Sequence, residues 1–568
     1  MPIKPFNVIA RRGAFGGTTN QSPHQLLILL TLFALFISAC SPQSTANSLP
    51  QITQESLPIK ASVQVATATP TSVQSSQPSI QRLYALVAPF PTVTNGVTLD
   101  ELQRAWTQGT TPSAFNRSPL LMDESTLAAF TALWDAPAAG AVRVVSADRL
   151  LDEAWANMPS WAIVPFEQLE PKWKVLTVDG QSPIRKNFDL ASYPLVANVE
   201  IESTSNQRLA ISGQPVNYDS SKLTTVIMTG ITALVRATAL TMELKGTLYP
   251  GEKIRDLMRA ADIAHVANHV PFSTGCAFPK PDQVALVFCS DPKYIDLFTD
   301  IGVDVVELTG HHFEDYGPKA TLETLAIYKA HNIVYFGGGA NKQDAIKPAL
   351  FENHGNKIAF IGCNRLDTGG LPTATDTLPG AAPCDYPYLK QEISQLKADG
   401  YVVIATMHWN QSYDYRPNPQ QIIDFRFLAD SGASLVLGSQ AHYAQTMEFY
   451  KGIFIHYGQG NLFFDQMGDQ DWMPQGIRRE FLDRYVIYDG KLISIELITT
   501  MLEDYSRPRL MTEQERAGFL QEYFYKSGWT PLNPTPTPTI TPTLTPISIP
   551  TFSGTPKLPP PSTTTPTP

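Results

Sequence analysis

Between residues 223 and 502 one pattern recurs: an apolar run of strand length, a polar turn, then in most cases a stretch of helical periodicity. The runs lie at 225–228, 263–267, 284–288, 303–308, 333–336, 357–361, 402–407 and 434–437. Their apolar residues fall on consecutive rather than alternate positions, so each strand must be covered on both faces. That requirement selects an α/β fold in which sheets are flanked by helices or by a second sheet. Helical patterns at 294–301, 320–330, 390–398 and 420–429 supply the cover. In such folds ligand sites collect beyond the carboxyl ends of the strands.

Polar residues are concentrated there. Asn268 follows one run; Gly310, His311, His312 and Asp315 follow another; His408-Trp409-Asn410 follows a third; Gly438 to His442 follow a fourth. A single histidine at a strand end is more often a satisfied polar residue than a ligand. Three such turns in one segment favour a site. Imidazole and carboxylate groups aimed from rigid strands suit a borderline metal such as zinc, manganese or iron.

Four blocks in order carry a family resemblance: Ala261-Asp262-Ile263 to Asn268; Gly310 to Gly317; His408-Trp409; and Gly438 to His442 with Gly460-Asn461-Leu462-Phe463-Phe464-Asp465. Over most of 223–466 the chain closely resembles the CapA family of bacterial capsule-synthesis proteins, the poly-γ-glutamate type. The resemblance implies a calcineurin-like metallophosphoesterase-type sandwich, with sheets flanked by helices, preceded here by a small α/β domain. It also implies a metal site made of Asn268, His311, His408 and His442, with His312 as a general acid held by Asp315.

The departures from the family pattern bear on mechanism. Gly230-Ile231 stands where the family has Gly-Asp, and Asn268-His269-Val270 where it has Asn-Leu-Glu. Gln440 and Ala441 replace a histidine and a proline, His311 replaces an asparagine, and Ser412 and Tyr413 stand where an acid is expected. A two-metal centre needs a bridging carboxylate, and none is evident. The expectation is one divalent transition metal, or none. Three functions stay open: a capsule or exopolymer synthesis protein with a partly degenerate site, a non-catalytic binder of an anionic polymer or wall component, and an extracellular phosphoesterase.

Residues 82–204 alternate strand-like runs at 83–87, 142–145, 162–165 and 173–178 with helical patterns at 99–106 and 147–156, and so read as a smaller α/β domain. The stretches at 161–166 and 178–183, with Tyr193-Pro194-Leu195, resemble part of one lobe of the periplasmic solute-binding proteins. A packing domain without a ligand is the equal alternative.

Neither end reads as domain material. Residues 1–40 have a basic start (Lys4, Arg11, Arg12), a short apolar run from Leu26, and Ile37-Ser38-Ala39-Cys40. This resembles a lipoprotein signal whose cysteine becomes the acylated first residue, which implies a lipid-anchored protein on the extracytoplasmic face of the membrane. Residues 41–81 lack the apolar side chains to offset ordering and read as a disordered tether. Residues 530–568 repeat Thr-Pro, which forbids helix and sheet ladders. A formal net charge of −10 argues against nucleic acid as a partner. The expected partners are an anionic capsule-type polymer or its synthesis machinery. Besides Cys40 the chain has Cys276, Cys289, Cys363 and Cys384. Two disulfides are expected, most simply between sequence neighbours, though four cysteines allow three connectivities.

Overall fold

The computed structural model describes residues 79–200, 215–365, 373–468 and 476–529. The signal and tail lie outside these residues, as does the tether up to residue 78. Among the described residues no helix is long and apolar enough to cross a membrane.

The first layer is a mixed sheet of β1 (Ser79–Pro89), β2 (Leu120–Met122), β3 (Val142–Val144), β4 (Trp161–Pro165), β5 (Trp173–Val175) and β6 (Val196–Glu200), in the order β3-β2-β4-β1-β5 with β6 also on β1. Helices Leu99–Gln108 and Glu124–Trp134 pack on it, each started by a side-chain cap from Thr98 or Asp123.

The body holds two further large sheets. One contains β7 (Leu223–Thr229), β8 (Ile231–Thr232), β9 (Ile263–Asn268), β10 (Val305–Glu307) and β11 (Val334–Phe336). The other contains β12 (Ala349–Asn353), β13 (Asn356–Asn364), β14 (Val402–Ser412), β15 (Leu435–Ala441), β16 (Met447–Tyr450) and β17 (Ile453–His456). The chain then returns to the first of them through β18 (Asn461–Phe463), β19 (Arg479–Tyr488), β20 (Lys491–Glu503) and β21 (Arg507–Leu510). The orders are β11-β10-β9-β7-β19-β20-β21, with β8 joining β9 to β18, and β12-β13-β14-β15-β17-β16.

Strand alternation sorts the apolar runs into layers. Val226, Met228, Ile358, Phe360, Ile404, Leu435 and Leu437 meet between the two sheets. Ile227, Ala264 and Val266 turn outward to helices that supply Met242, Phe298 and Tyr328. Ala359, Ile361, Val403 and Ala405 turn outward to Leu389, Ile393, Phe425 and Leu428. Every strand in the middle of the body is therefore buried on both faces, which is why its sequence shows consecutive apolar residues. The expected sandwich of two sheets flanked by helices is what the chain forms. The first sheet packs on this body, Phe90 of the turn after β1 reaching Phe449, Phe454 and Trp529.

One expected strand does not form. Residues 284–288 run through a loop in which Val284 is 90% and Leu286 68% exposed, while Phe288 alone is buried. Both edges of β9 are already taken, by β7 and β8 on one side and β10 on the other, so the run has no ladder to join. The fold also continues beyond residue 502, through β21 and the helix Glu513–Lys526, whose Phe519, Leu520, Tyr523 and Phe524 close one end of the inter-sheet core. The β19–β20 hairpin turns at Asp489-Gly490, with φ of 50° and 75°. That dipeptide is the sequence signal for such a hairpin.

Both disulfides join sequence neighbours, Cys276 with Cys289 and Cys363 with Cys384. They span 13 and 21 residues. Closing loops of this length removes unfolded-chain entropy worth about 3 kcal/mol each. Replacing Cys363 and Cys384 together by serine should lower unfolding free energy by about 2–4 kcal/mol in urea titrations. Mass spectrometry of the native chain should find none of the four thiols alkylatable; four free thiols would contradict the pairing.

Candidate functional site

The inward faces of both sheets change character toward their carboxyl ends. In β14, Ile404 and Thr406 point between the sheets, and His408 continues that parity. Ladder register places Asn364 beside His408 and His408 beside Ser439. In the facing sheet Val305 is followed on the same side by Glu307, which is 2% exposed. These polar ends tie the sheets together. Ser439 Oγ donates to Glu307 Oε1 at 2.9 Å, Thr309 Oγ1 donates to the same oxygen, and Asn364 Nδ2 donates to Thr309 O at 2.7 Å. His265 Nε2 approaches the other Glu307 oxygen at 3.5 Å.

Above this layer the histidines converge. The rings of His269 and His408 lie 4.9 Å apart, those of His311 and His408 5.3 Å, and those of His311 and His312 4.0 Å, centroid to centroid. His311 Nδ1 is 3.1 Å from His408 Nε2, a hydrogen bond for which one of the two nitrogens keeps its proton. Gly310 permits the approach, because a Cβ there would sit 2.6 Å from the Cα of His269. His442 stacks between Tyr413 and Phe464, at 5.3 and 5.1 Å, and its Nδ1 meets Asn461 Oδ1 at 2.8 Å. That acceptor places the proton on Nδ1 and leaves Nε2 as the lone-pair nitrogen. Just before His442, Gln440 is buried in a left-handed backbone conformation, φ 78°, which the surrounding ladder must hold.

Burial governs the charge of this cluster. It drives His269 and His408 well below the ordinary histidine value, assisted by neighbouring imidazoles. Burial takes His311 down to about 3, and takes His442 to about 4 against the opposing pull of Asn461. All four are neutral at pH 7. Two guanidiniums flank them. Arg236 forks onto Asp465 between the rings of Phe288 and Phe464, and Arg365 pairs with Asp424 at 2.9 Å over the ring of Trp409.

The residues singled out from the sequence are distributed unevenly. His312 Nδ1 and Asp315 Oδ2 are 2.7 Å apart, and the same oxygen accepts from Phe288 N at 2.7 Å. His311 and His408 are in direct contact. Asn268 has its amide nitrogen turned to Val270 O and Tyr328 Oη, each at 2.8 Å. His442 is tied to Asn461. The four do not assemble into one coordination shell, and among the described residues no group of three or more His, Cys, Asp or Glu is placed to hold a metal ion. The nearby carboxylates are engaged: Asp315 by His312 and Phe288, Asp465 by Arg236, Asp424 by Arg365, and Glu307 by Thr309 and Ser439. Among the described residues Asn268 Oδ1, the atom through which an asparagine would hold a metal, is buried without a partner.

His269, Glu307, Ser439, Arg236 and Arg365 complete the site and were not among the expected functional residues. His269 was legible from its place beside Asn268 at a strand end. The two arginines had no local signal, since only the fold brings them to the cleft.

Residues 225–466 match the family model for the bacterial capsule synthesis protein PGA_cap. The chain carries a PGA_cap-type domain over this segment. The chain is 26% identical over 280 residues to the capsule biosynthesis protein CapA of Bacillus anthracis, an alignment covering 48% of this chain and 67% of that protein. It is 30% identical over 225 residues to the PGA biosynthesis protein CapA of Bacillus subtilis, covering 39% of this chain and 59% of that one. The chain thus spans about three fifths to two thirds of these relatives. Among solved structures, the NAD nucleotidase NadN of Haemophilus influenzae superposes with a TM-score of 0.31 at 12% identity, covering 54% of this chain and 56% of that one.

A base whose pKa is depressed by folding is protonated first in the unfolded chain. The unfolded state therefore binds more protons below about pH 6.5, and stability falls as pH drops. The window runs from about 6.5 down to about 4 for His442 and about 3 for His311. Each histidine contributes at most about 1.4 kcal/mol per pH unit. His311→Gln should flatten the dependence of the urea midpoint on pH in this window, and an unchanged slope would count against the neutral cluster.

Proposed function

We propose that this chain is an accessory protein in the synthesis of a capsule-type anionic polymer, held at the extracytoplasmic face by lipid on Cys40, and that its histidine cleft binds the polymer. The kinship of residues 225–466 to capsule-synthesis proteins supports the pathway. The two disulfides support an oxidising compartment.

The observation that carries the binding role is a set of neutral imidazoles and buried, unmatched polar atoms between two arginines. Among the described residues His408 Nδ1 and Asn268 Oδ1 are buried without a hydrogen-bond partner, and His269 faces Gln440 beside them. Such atoms are costly unless something satisfies them. A polymer of amide-linked, carboxylate-bearing units offers N–H groups to the amide oxygen of Asn268 and carboxylates to the guanidiniums. The His312–Asp315 pair favours a second reading, an extracellular phosphoesterase, because it is a proton donor held in place.

Titration of the purified chain with poly-γ-glutamate separates the two. The binding role predicts saturable affinity, weakened about tenfold, or about 1.4 kcal/mol, by His311→Ala. Rapid cleavage of bis-(p-nitrophenyl) phosphate with added manganese, lost in His312→Ala and unaccompanied by polymer binding, would establish the phosphoesterase instead. For the anchor, Cys40→Ala should move the protein out of the membrane fraction. An unchanged lipid-labelled product would refute acylation at Cys40.

A further inference from the structure

A second site lies away from the histidine cleft. Where β5 of the first sheet packs against β20 and the helix Glu513–Lys526, a cavity of about 330 Å³ remains. That is room for about ten water molecules at about 30 Å³ each, and it falls within the size range of small-ligand sites.

The lining has two characters. One wall is apolar, with Phe90, Leu520 and Phe524. The other carries Lys174, Arg185, Arg484 and Arg516 with the carboxylate of Glu496; Arg516 is paired with Glu513, which leaves three cationic side chains against Glu496. Glu496 is divided between two of them, taking Arg185 Nη2 at 2.5 Å and Arg484 Nε at 2.6 Å. Arg484 is only 12% exposed, and it meets Glu496 through Nε rather than through its terminal nitrogens. Lys174 Nζ makes bonds of 2.7–3.1 Å to Thr92 O, Val93 O and Asn95 Oδ1, none of them to an anion. A positive excess enclosed beside hydrocarbon is what an amphipathic anion requires.

We propose that this cavity binds a small organic carboxylate with a hydrocarbon portion, its carboxylate taken by Arg484 and Arg185 with the Lys174 ammonium adding charge beside them, and its apolar part by Leu520 and Phe524. Phosphate or another compact anion would leave the apolar wall unfilled. The site is independent of the polymer-binding role, since it shares no residue with the histidine cleft.

Calorimetric titration of the purified full chain with hexanoate, hexylamine and inorganic phosphate tests it. Hexanoate should saturate a single site and raise the melting temperature, while hexylamine should not bind. Arg185→Gln leaves Arg484 paired with Glu496, so it should fold with an unchanged circular dichroism spectrum while weakening hexanoate at least tenfold. Lys174→Met should weaken it similarly. Burial and Arg516 bring the Lys174 ammonium down to about 7, with Glu496 and Glu513 acting in the opposite sense and Arg185 and Arg484 on the same cavity wall. Affinity for hexanoate should therefore fall as pH rises through about 7 in the wild type and not in Lys174→Met. Absence of saturable hexanoate binding, equal binding of hexylamine, phosphate binding that displaces hexanoate, or full affinity in a folded Arg185→Gln chain would each overturn the proposal.

Discussion

The parallel ladder from β13 through β14 to β15 is the constraint from which the cleft follows. It sets Asn364, His408 and Ser439 side by side, and strand parity turns all three between the sheets. A one-residue slip in β14 would send His408 outward among Leu389 and Phe425 and bring Met407 into the cleft. Consecutive apolar residues on both faces make such a slip cheap for the core itself. Register is pinned instead by the polar ends, through the bonds of Asn364 and Ser439 to Thr309 and Glu307 in the opposite sheet.

The same burial that holds the sheets together decides the chemistry above them. Imidazoles packed this closely and cut off from water disfavour positive charge on one another, and a carboxylate among them would be needed to offset that. Here the carboxylates are turned to arginines, to His312 or to the layer below, so the histidines stay neutral. A neutral imidazole donates from one nitrogen and accepts at the other, which suits polar recognition of an amide chain. Arg236 and Arg365 add charge at the flanks without entering the cluster, each kept by its own aspartate and aromatic ring.

Much of this was legible in the sequence because burial on both faces leaves a plain signature. The strands carrying Asn268, His408 and His442 stand where their apolar runs lie, and the polar residues after them face one cleft. The run at 284–288 has the same composition but no free strand edge beside it, and edge availability is a property of the assembled sheet. β19 and β20 escaped notice because their faces are mixed, although Asp489-Gly490 marked the turn between them. Side-chain orientation in the cleft follows from contacts no spacing reveals: the amide nitrogen of Asn268 is held by Tyr328, a residue 60 positions away that only the packed helix brings near, and His442 is tied to Asn461. Sequence order located the donors, and rotamer and partner choice decided what they could hold.

The central claim is that the histidines of the cleft are neutral and poised for hydrogen bonding. Imidazole ¹⁵N chemical shifts of the purified chain, recorded one pH unit below the ordinary histidine value of about 6.5, test it most directly. The account predicts neutral-ring signals for His269, His311, His408 and His442, with the proton of His442 on Nδ1. Imidazolium signals from these residues at that pH, titrating with the ordinary histidine value, would contradict it.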